Sequence, residues 1–150
     1  MNLTAPTIDL TNSYPRGPRE RLAGVSMLAR TIDKARAQLA GTLGEYVYDC
    51  PMDRQLFATL GIASDEFLEV VSRSPDDIAV VAWLRGRGAI PEGEALDGHN
   101  DSIEHWAPKS AESKARFERQ REVIAPGRAD ITTWTDLLDV EEGRLAAVAG

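Results

Sequence analysis

The chain has 150 residues, one cysteine and a formal net charge of −7, and hydrophobic residues make up 43% of it. Its length suits one domain with a single core, and a lone cysteine excludes an internal disulfide and a cysteine-rich zinc finger. The negative charge argues against nucleic-acid binding, which depends on clustered lysine and arginine, and no apolar run approaches the roughly 18 residues that a membrane-spanning helix needs. We therefore expect neither a nucleic-acid nor a membrane partner.

The first residues of the chain are polar and show no periodicity. They lack the basic start and the apolar stretch of a secretory signal, and so we expect a cytoplasmic protein. We assign 1–13 to a flexible N-terminal segment, 14–142 to a single helical domain and 143–150 to a C-terminal tail. An extended arm opens the domain, because the two prolines of the stretch YPRGPRER disfavour helix.

The first predicted helix begins near Ser26 and carries a stripe of apolar residues at helical spacing: Leu28, Ile32, Ala35 and Leu39. A second short helix runs to Gly61. It begins either with Asp53 as the N-cap or, in a competing register, with Pro51 as the first helical residue. Between the two helices, 45–48 is the one strand candidate.

In the second half, helix start signals lie at Ser64, Ser74 and Thr133, and opposite charges at i,i+4 spacing predict a surface helix over 110–124. The segment 86–100 is rich in glycine and has no period, which predicts a loop or a lid, followed by a short helix at about 103–106. The fold is therefore predicted to be mainly α, a single small helical domain of about five to six helices. It has an extended N-terminal arm and at most a short β element.

One face of the first helix is polar and compact. Arg30, Asp33 and Lys34 share this face, since residues three and four apart are neighbours on a helix, and Arg36 lies a quarter-turn away. Arg30 and Lys34 could hold an anion while Asp33 acts as a base or orients the ligand. A ladder of ion pairs facing water accounts for the same spacing.

The arm adds three arginines, Arg16, Arg19 and Arg21, and could fold back over that helix. Guanidinium groups bind carboxylates and phosphates in a two-pronged way, which suits an anionic ligand. All of the net negative charge lies after residue 60: residues 1–60 have a net charge of +1 and residues 61–150 of −8. The alternative is therefore that these arginines pair with the acidic second half and dock the arm.

The stretch GEYVYDCPMD, 44–53, brings two tyrosines and the single cysteine together ahead of the second helix. Tyr46 and Tyr48 alternate, so an extended segment would point both rings to one side, where they could wall a pocket or form an edge of the core. Cys50 could be a thiolate stabilised by the helix dipole and by Arg54, or it could fill the core, as free cysteine often does.

Metal and cofactor motifs give no positive prediction. His99, Asp101 and His105 are acceptable metal ligands, but their spacing is not diagnostic, and we predict no metal site. The sequence contains no glycine-rich phosphate loop, no dinucleotide fingerprint and no nucleophile elbow, and we predict no cofactor.

Four blocks of the sequence are similar to a known family: YPRGPRERLAG, ARTIDKARAQLAGTLGEYVYDCPMD, PDDIAVVAWL and APGRADITTWTDLLDVEEGR. They resemble the bacterial domain-of-unknown-function family 5069, from about residue 9 to residue 144. The resemblance implies a small cytoplasmic bacterial protein. The family has no assigned activity, catalytic residue or cofactor, so the resemblance gives this chain none.

The favoured hypothesis is a pocket for a small anionic or phenolic molecule, used for binding or for acid-base catalysis. The candidate catalytic residues are Asp33, Lys34, Tyr46 and Cys50, and the candidate ligand-binding residues are Arg16, Arg19, Arg30, Arg36 and Tyr48. The alternative is a non-catalytic module for protein interaction or self-assembly, including a homodimer, anchored by three tryptophans, Trp83, Trp106 and Trp134.

Overall fold

The computed structural model describes residues 6–145, and residues 1–5 and 146–150 lie outside that range. Within it the chain forms a two-stranded hairpin and seven helices: β1 (Arg21–Leu22), β2 (Val25–Ser26), α1 (Leu28–Ala40), α2 (Pro51–Leu60), α3 (Ser64–Ser72), α4 (Asp77–Gly86), α5 (Gly93–Glu104), α6 (Ala111–Ile124) and α7 (Trp134–Glu141). The mainly α prediction is confirmed, and the helix count is higher than the predicted five to six.

The hairpin is antiparallel, with Arg21 opposite Ser26 and Leu22 opposite Val25. Its two turn residues, Ala23 and Gly24, have φ angles of 53° and 79°. Two successive positive φ angles are typical of the tight turns that match the twist of a hairpin. Such a short element carries no alternating pattern, and for that reason the sequence did not reveal it.

The one strand candidate, 45–48, was wrong. This segment contains no strand: turns at 44–45 and 48–49 enclose two residues without regular structure. The chain bends at both of its ends, where Gly44 and Asp49 have φ angles of 61° and 71°. A segment bent on both sides has no straight edge to offer a neighbouring strand.

Helix α1 is buried on all sides over residues 28–37. Its apolar side chains pack into the main core with residues from α2 to α5, among them Leu56, Phe67, Val80 and Ile103. The same burial encloses its charged side chains, and a charge removed from water needs a partner. The position of α1 therefore decides where the ionic groups of the molecule must meet.

The start of α2 follows the competing register. Pro51 is the first helical residue and Cys50 is the N-cap. Asp53 lies one turn inside the helix, where its Oδ2 accepts hydrogen bonds from the backbone N–H groups of Cys50, at 3.1 Å, and Asp49, at 3.0 Å. Its carboxylate thus satisfies two donors that the helix end leaves free.

The other helix starts are partly as predicted. Ser110 and Thr133 cap α6 and α7 with their side chains. At α4 the predicted cap, Ser74, was wrong: Asp76 accepts from the N–H of Ala79 at 2.9 Å. Ser74 instead donates its hydroxyl to the carbonyl of Val70, at 2.6 Å.

The predicted loop at 86–100 was wrong in its second part, because α5 begins at Gly93. Polar side chains fix this helix to the hairpin. The Asn100 side chain accepts from the Ser26 N–H at 2.8 Å and donates to the Gly24 carbonyl at 2.9 Å. Buried polar residues replace apolar ones at these positions, and the sequence therefore lacks the helical hydrophobic period. The short helix predicted at 103–106 is the end of α5.

A second, smaller core joins α6 to α7 around Phe117, Ile131 and Leu137. The segment before the arm also contacts the body: Leu10 is buried and its N–H donates to the Thr42 carbonyl at 2.9 Å. The assigned flexible segment 1–13 and tail 143–150 both extend into residues that the structure does not describe. None of the helices within residues 6–145 is long and apolar enough to cross a membrane.

Candidate functional site

The arm lies along α1 and binds it through Arg16. Nη2 of this guanidinium is 3.0 Å from Oδ1 of Asp33, and Nη1 is 2.7 Å from Oδ2 of Asp77 in α4. Arg36 approaches the same aspartate, with Nη2 3.0 Å from Oδ1 of Asp77. Burial acts to raise the pKa of Asp77, but hydrogen bonding and charge from the two arginines outweigh burial and lower the pKa. Two arginines thus share two carboxylates.

Arg19 ties the arm to the other end of the chain. Its guanidinium lies 2.8 Å from Oδ2 of Asp139 and 2.7 Å from Oδ1 of Asp136, both in α7, and donates to the Glu104 carbonyl at 2.8 Å. Arg21 binds the Glu104 side chain with two hydrogen bonds, at 2.8 and 3.0 Å. These contacts correspond to the docking alternative for the arm.

Arg30 and Glu142 form a pair that is almost completely buried. Two parallel hydrogen bonds of 2.8 Å join the guanidinium to the carboxylate, and the two side chains are 3% and 1% exposed. Arg144 also binds Glu142 and lies 2.7 Å from Oδ1 of Asp139. Burial acts to raise the pKa of Glu142, but the two arginines outweigh it, and the pKa is lowered. Glu142 is therefore a carboxylate in the folded protein.

Lys34 is buried against α2. Its Nζ donates to Oδ2 of Asp53 at 2.7 Å, and the Thr31 hydroxyl donates to Oδ1 at 2.7 Å. The same Nζ lies 3.3 Å from Sγ of Cys50. Cys50 is half-buried, and its thiol therefore borders this ion pair.

All five cationic residues predicted for the site have carboxylate partners: Arg16, Arg19, Arg30, Lys34 and Arg36. Neither sequence interpretation of the α1 face describes this arrangement fully. The ion pairs are not a ladder facing water, and every one of these cations already has a carboxylate partner. Arg30, Lys34 and Arg36 are buried, whereas the side chains of Arg16 and Arg19 are 28% and 35% exposed. An anionic ligand would have to displace a buried carboxylate, which would leave that carboxylate without a counter-charge.

The two tyrosines point to different places. The Tyr48 hydroxyl donates to the Ser64 carbonyl at 2.6 Å, and its ring packs against Phe57 with 5.8 Å between centroids. The Tyr46 hydroxyl donates to Oε2 of Glu142 at 2.9 Å. Burial, reinforced by nearby carboxylates, raises the pKa of both phenols. Only Tyr46 belongs to an open site.

That site is a groove of about 950 Å³, which we call the Tyr46 groove. It is lined by residues 10–14 of the N-terminal segment, by 44–46 of the bend after α1, and by Leu138, Glu141 and Glu142 at the end of α7. Tyr14 stands at its wall with 59% of its surface exposed. Three stretches that are distant in sequence therefore converge here.

The charged residues that line the groove are all acidic: Glu45, Glu141 and Glu142. Glu141 has a raised pKa, first because of burial and then because of the negative charges of Glu142 and Glu45. Glu142, its neighbour, has a lowered pKa. Neighbouring carboxyl groups with pKa values shifted in opposite directions occur at functional sites. Structural ion-pair networks produce the same pattern.

Sequence reasoning missed the acidic side of the site. Glu141 and Glu142 lie in the run DVEEGR, which was assigned to the end of a helix and a tail. The available signal was the charge asymmetry, because an excess of acid in the second half implies partners for the basic first half. It does not show which carboxylate meets which arginine.

The histidine region holds no metal cluster. His99 is buried and binds the Ser26 carbonyl, whereas His105 is exposed beside Asp101. Within residues 6–145 no group of three or more His, Cys, Asp and Glu side chains is arranged to hold a metal ion.

A comparison with family models finds one match, described as Domain of unknown function (DUF5069), over residues 12–144. The chain belongs to the DUF5069 family. No curated protein matches the sequence. The DUF5069 match begins two residues before Tyr14 and ends at Arg144. It therefore includes the arm, the buried ion pairs and most of the Tyr46 groove.

Proposed function

We propose that this DUF5069 protein binds a small molecule in the Tyr46 groove. The observation that carries the proposal is the groove itself, about 950 Å³ in volume, in which the Tyr46 hydroxyl bonds to a buried carboxylate. Small-molecule sites in proteins have volumes of about 300 to 1,000 Å³, with mostly apolar walls and a few fixed polar groups. Leu10, Leu138 and the rings of Tyr14 and Tyr46 supply the apolar part of such a wall.

The groove is also held rigid from behind. Glu142 is fixed by Arg30 and Arg144, and the Arg30 guanidinium lies 5.5 Å from the centroid of the Tyr46 ring. A polar group fixed before a ligand arrives loses less entropy on binding than a free one. In this proposal the buried cations therefore organise the groove and do not touch the ligand.

Acid-base catalysis in the groove would use Glu141. Burial raises the pKa of Glu141, which brings its proton exchange closer to neutral pH, as a general acid or base requires. Asp33 and Lys34 are less suited, since each is buried in an ion pair away from the groove. Cys50 borders Lys34 and is likewise absent from the groove lining.

Self-assembly is the second candidate. Val123 in α6 and Ile78 in α4 are 83% and 77% exposed, which favours apolar contact with another chain at one of these helices. The tryptophans fit less well as anchors. Trp83, Trp106 and Trp134 are half-buried, and their rings have cations at 5.0, 4.6 and 5.7 Å from the centroids.

We also propose that the protein is bacterial and cytoplasmic. The resemblance of its sequence blocks to a bacterial family supports the first part. A single free cysteine supports the second, because it fits a reducing compartment.

Thermal melting against a panel of small carboxylates, phosphates, phenols and amines tests the binding proposal. A ligand bound only by the folded chain raises the melting temperature. We expect at least one compound to do so, and we expect Tyr14→Ala to reduce the shift because Tyr14 lines the groove. Tyr48→Phe is the matched control, since its hydroxyl lies outside the groove. A panel without any shift, or a shift that Tyr14→Ala leaves intact, would contradict the proposal.

A further inference from the structure

The charge of the Tyr46 groove is negative after its own ion pairs are counted. Glu142 is neutralised by Arg30 and Arg144, which bind it from inside the protein. Glu45 and Glu141 form no ion pair among residues 6–145, and no lysine or arginine lines the groove. The charge of Arg30 reaches Glu141 from inside the protein, and Arg116 and Arg119 share a second pocket with Glu141 outside the groove. An anion entering the groove would still meet two carboxylates without ion-pair partners, whereas a cation would be attracted to both.

The tyrosine rings that line the groove also favour a positively charged ligand. The face of an aromatic ring is negative, and ammonium or guanidinium groups bind there favourably. Tyr46 already accepts one cation in this way, the Arg30 guanidinium. Tyr14, which is 59% exposed, presents a second ring to the groove.

The lining also distinguishes an organic cation from a metal ion. A divalent metal needs several oxygen ligands at short distance, and no group of three or more acidic, cysteine or histidine side chains within 6–145 is arranged to supply them. Leu10 and Leu138 offer apolar surface instead. A ligand with an apolar body and one positive end matches both parts of the lining.

We infer that the ligand of the Tyr46 groove is an organic cation, an alkylammonium or arylammonium ion whose positive end lies beside Glu141 and whose apolar body lies against Tyr14 and Leu138. This inference rests on the proposed binding function and adds the chemical class of the ligand. It replaces the anionic ligand that the arginines and lysine suggested in the sequence. Those cations have carboxylate partners, whereas Glu45 and Glu141 in the groove form no ion pair among residues 6–145.

The test uses a pair of probes with nearly the same shape and opposite charge, 2-phenylethylamine and 3-phenylpropionate, together with neutral 2-phenylethanol. Calorimetric titration at pH 7.5 should show that the amine binds and that the carboxylate does not. Glu141→Gln should weaken amine binding by roughly two- to fivefold, the size of effect expected from one partly exposed charge. Glu118→Gln, which removes an exposed carboxylate outside the groove, should leave amine binding unchanged.

A second readout is the pH dependence of amine binding. A bound cation stabilises the ionised form of Glu141, so affinity should rise as the pH increases through the titration of that carboxyl group. Glu141→Gln should reduce this pH dependence, and Glu118→Gln should retain it. The same pH profile in Glu141→Gln and in the wild type would overturn the assignment of the positive end to Glu141.

The outcomes separate the inference from the proposed function. If 3-phenylpropionate binds and Tyr14→Ala weakens it while the amine does not bind, the groove is a ligand site but the inference is wrong. If a wider set of ammonium ions, carboxylates and phenols all fail to bind, both are wrong. Amine binding that neither Glu141→Gln nor Tyr14→Ala changes takes place elsewhere and also overturns the inference.

Discussion

At the scale of single residues, the charged side chains of α1 are explained by their burial. Lys34 is 4% exposed and Asp53 is 0% exposed, and 2.7 Å separates their charged atoms. Enclosed charges of this kind stabilise a protein only as pairs, because either one alone would be far less well solvated than in water. The spacing of charged residues on α1 suggested an anion site in the sequence. The same spacing suits a set of buried ion pairs.

Replacing one member of this pair should be costly. We predict that Lys34→Met lowers the free energy of unfolding by about 3 to 5 kcal/mol, since it leaves Asp53 buried without a counter-charge. Arg54→Met is the control, because Arg54 and Asp49 form an exposed pair with 3.5 Å between Nε and Oδ1, and should cost less than about 1 kcal/mol. Urea unfolding measures both, and equal losses would show that Lys34 and Asp53 are not shielded from water.

His99 should make stability depend on pH. Its Nε2 lies 2.8 Å from the Ser26 carbonyl oxygen and its Nδ1 lies 3.0 Å from the Thr59 hydroxyl oxygen. In the neutral ring Nε2 donates and Nδ1 accepts. Burial lowers the pKa of His99 below its ordinary value of 6.5, although the Ser26 carbonyl and the charge of Glu104 act in the opposite direction.

The direction in which stability changes with pH follows from the lowered pKa of His99. As the pH falls below about 6.5, the unfolded chain binds the proton before the folded chain does, so the free energy of unfolding decreases. We predict that His99→Gln removes part of this decrease between pH 7.5 and pH 5, measured by urea unfolding. His105→Gln, at an exposed site, should retain it. An unchanged slope in His99→Gln would mean that His99 does not titrate differently in the two states.

At the scale of elements, α5 and the hairpin stabilise each other. Asn100 binds the hairpin at both the Ser26 N–H and the Gly24 carbonyl. A two-stranded hairpin of this length has little stability by itself. The strands therefore depend on a side chain that is distant in sequence, since Asn100 lies 74 residues after Ser26 and 76 residues after Gly24.

Removing that side chain should loosen the hairpin. We predict that Asn100→Ala lowers the free energy of unfolding by about 1 to 3 kcal/mol, because it leaves buried backbone groups without a partner. It should also speed hydrogen exchange at the Ser26 amide. Asp101→Ala, an exposed neighbour in the same helix, should change stability by less than about 0.5 kcal/mol. Unchanged exchange at Ser26 in Asn100→Ala would contradict this role.

The sequence predicted elements where local signals decide the structure. The apolar period of α1, the charge spacing of α6 and the cap of α7 were sufficient to locate those helices. It missed α5 because polar side chains there satisfy partners that are distant in sequence. At α4 both Ser74 and Asp76 are suitable caps, and local reasoning did not distinguish between them.

At the scale of the whole molecule, both ends of the described chain are held against α1 by charge. The arm carries Arg16 and Arg19, the end of α7 carries Asp139 and Glu142, and Arg30 in α1 joins the two sides. Some of these pairs join the first part of the sequence to the acidic second part, as Arg30 and Glu142 do, and others lie within one part, as Arg16 and Asp33 do. Because most of these pairs are at least partly buried, added salt should screen them less than surface pairs.

The same arrangement explains how much of the candidate site could be predicted. Tyr46 was predicted as a wall residue, and it does line the groove. The arginines and Lys34 were assigned to the ligand because their spacing was visible in the sequence. Their carboxylate partners in α2, in α4 and at the end of α7 were not visible there. The sequence pattern shows which residues share a helix face, but it does not show which oppositely charged residues of other elements pack against that face.

The central claim is that a small organic cation binds in the Tyr46 groove, and titration of the isotope-labelled protein with 2-phenylethylamine, followed by amide nuclear magnetic resonance, tests it most directly. We predict saturable signal changes concentrated at residues 10–14, at 44–46 and at the end of α7, which together line the groove. Signals from α4 should remain in place. Changes centred on any other part of the chain, or none up to millimolar amine, would contradict the account.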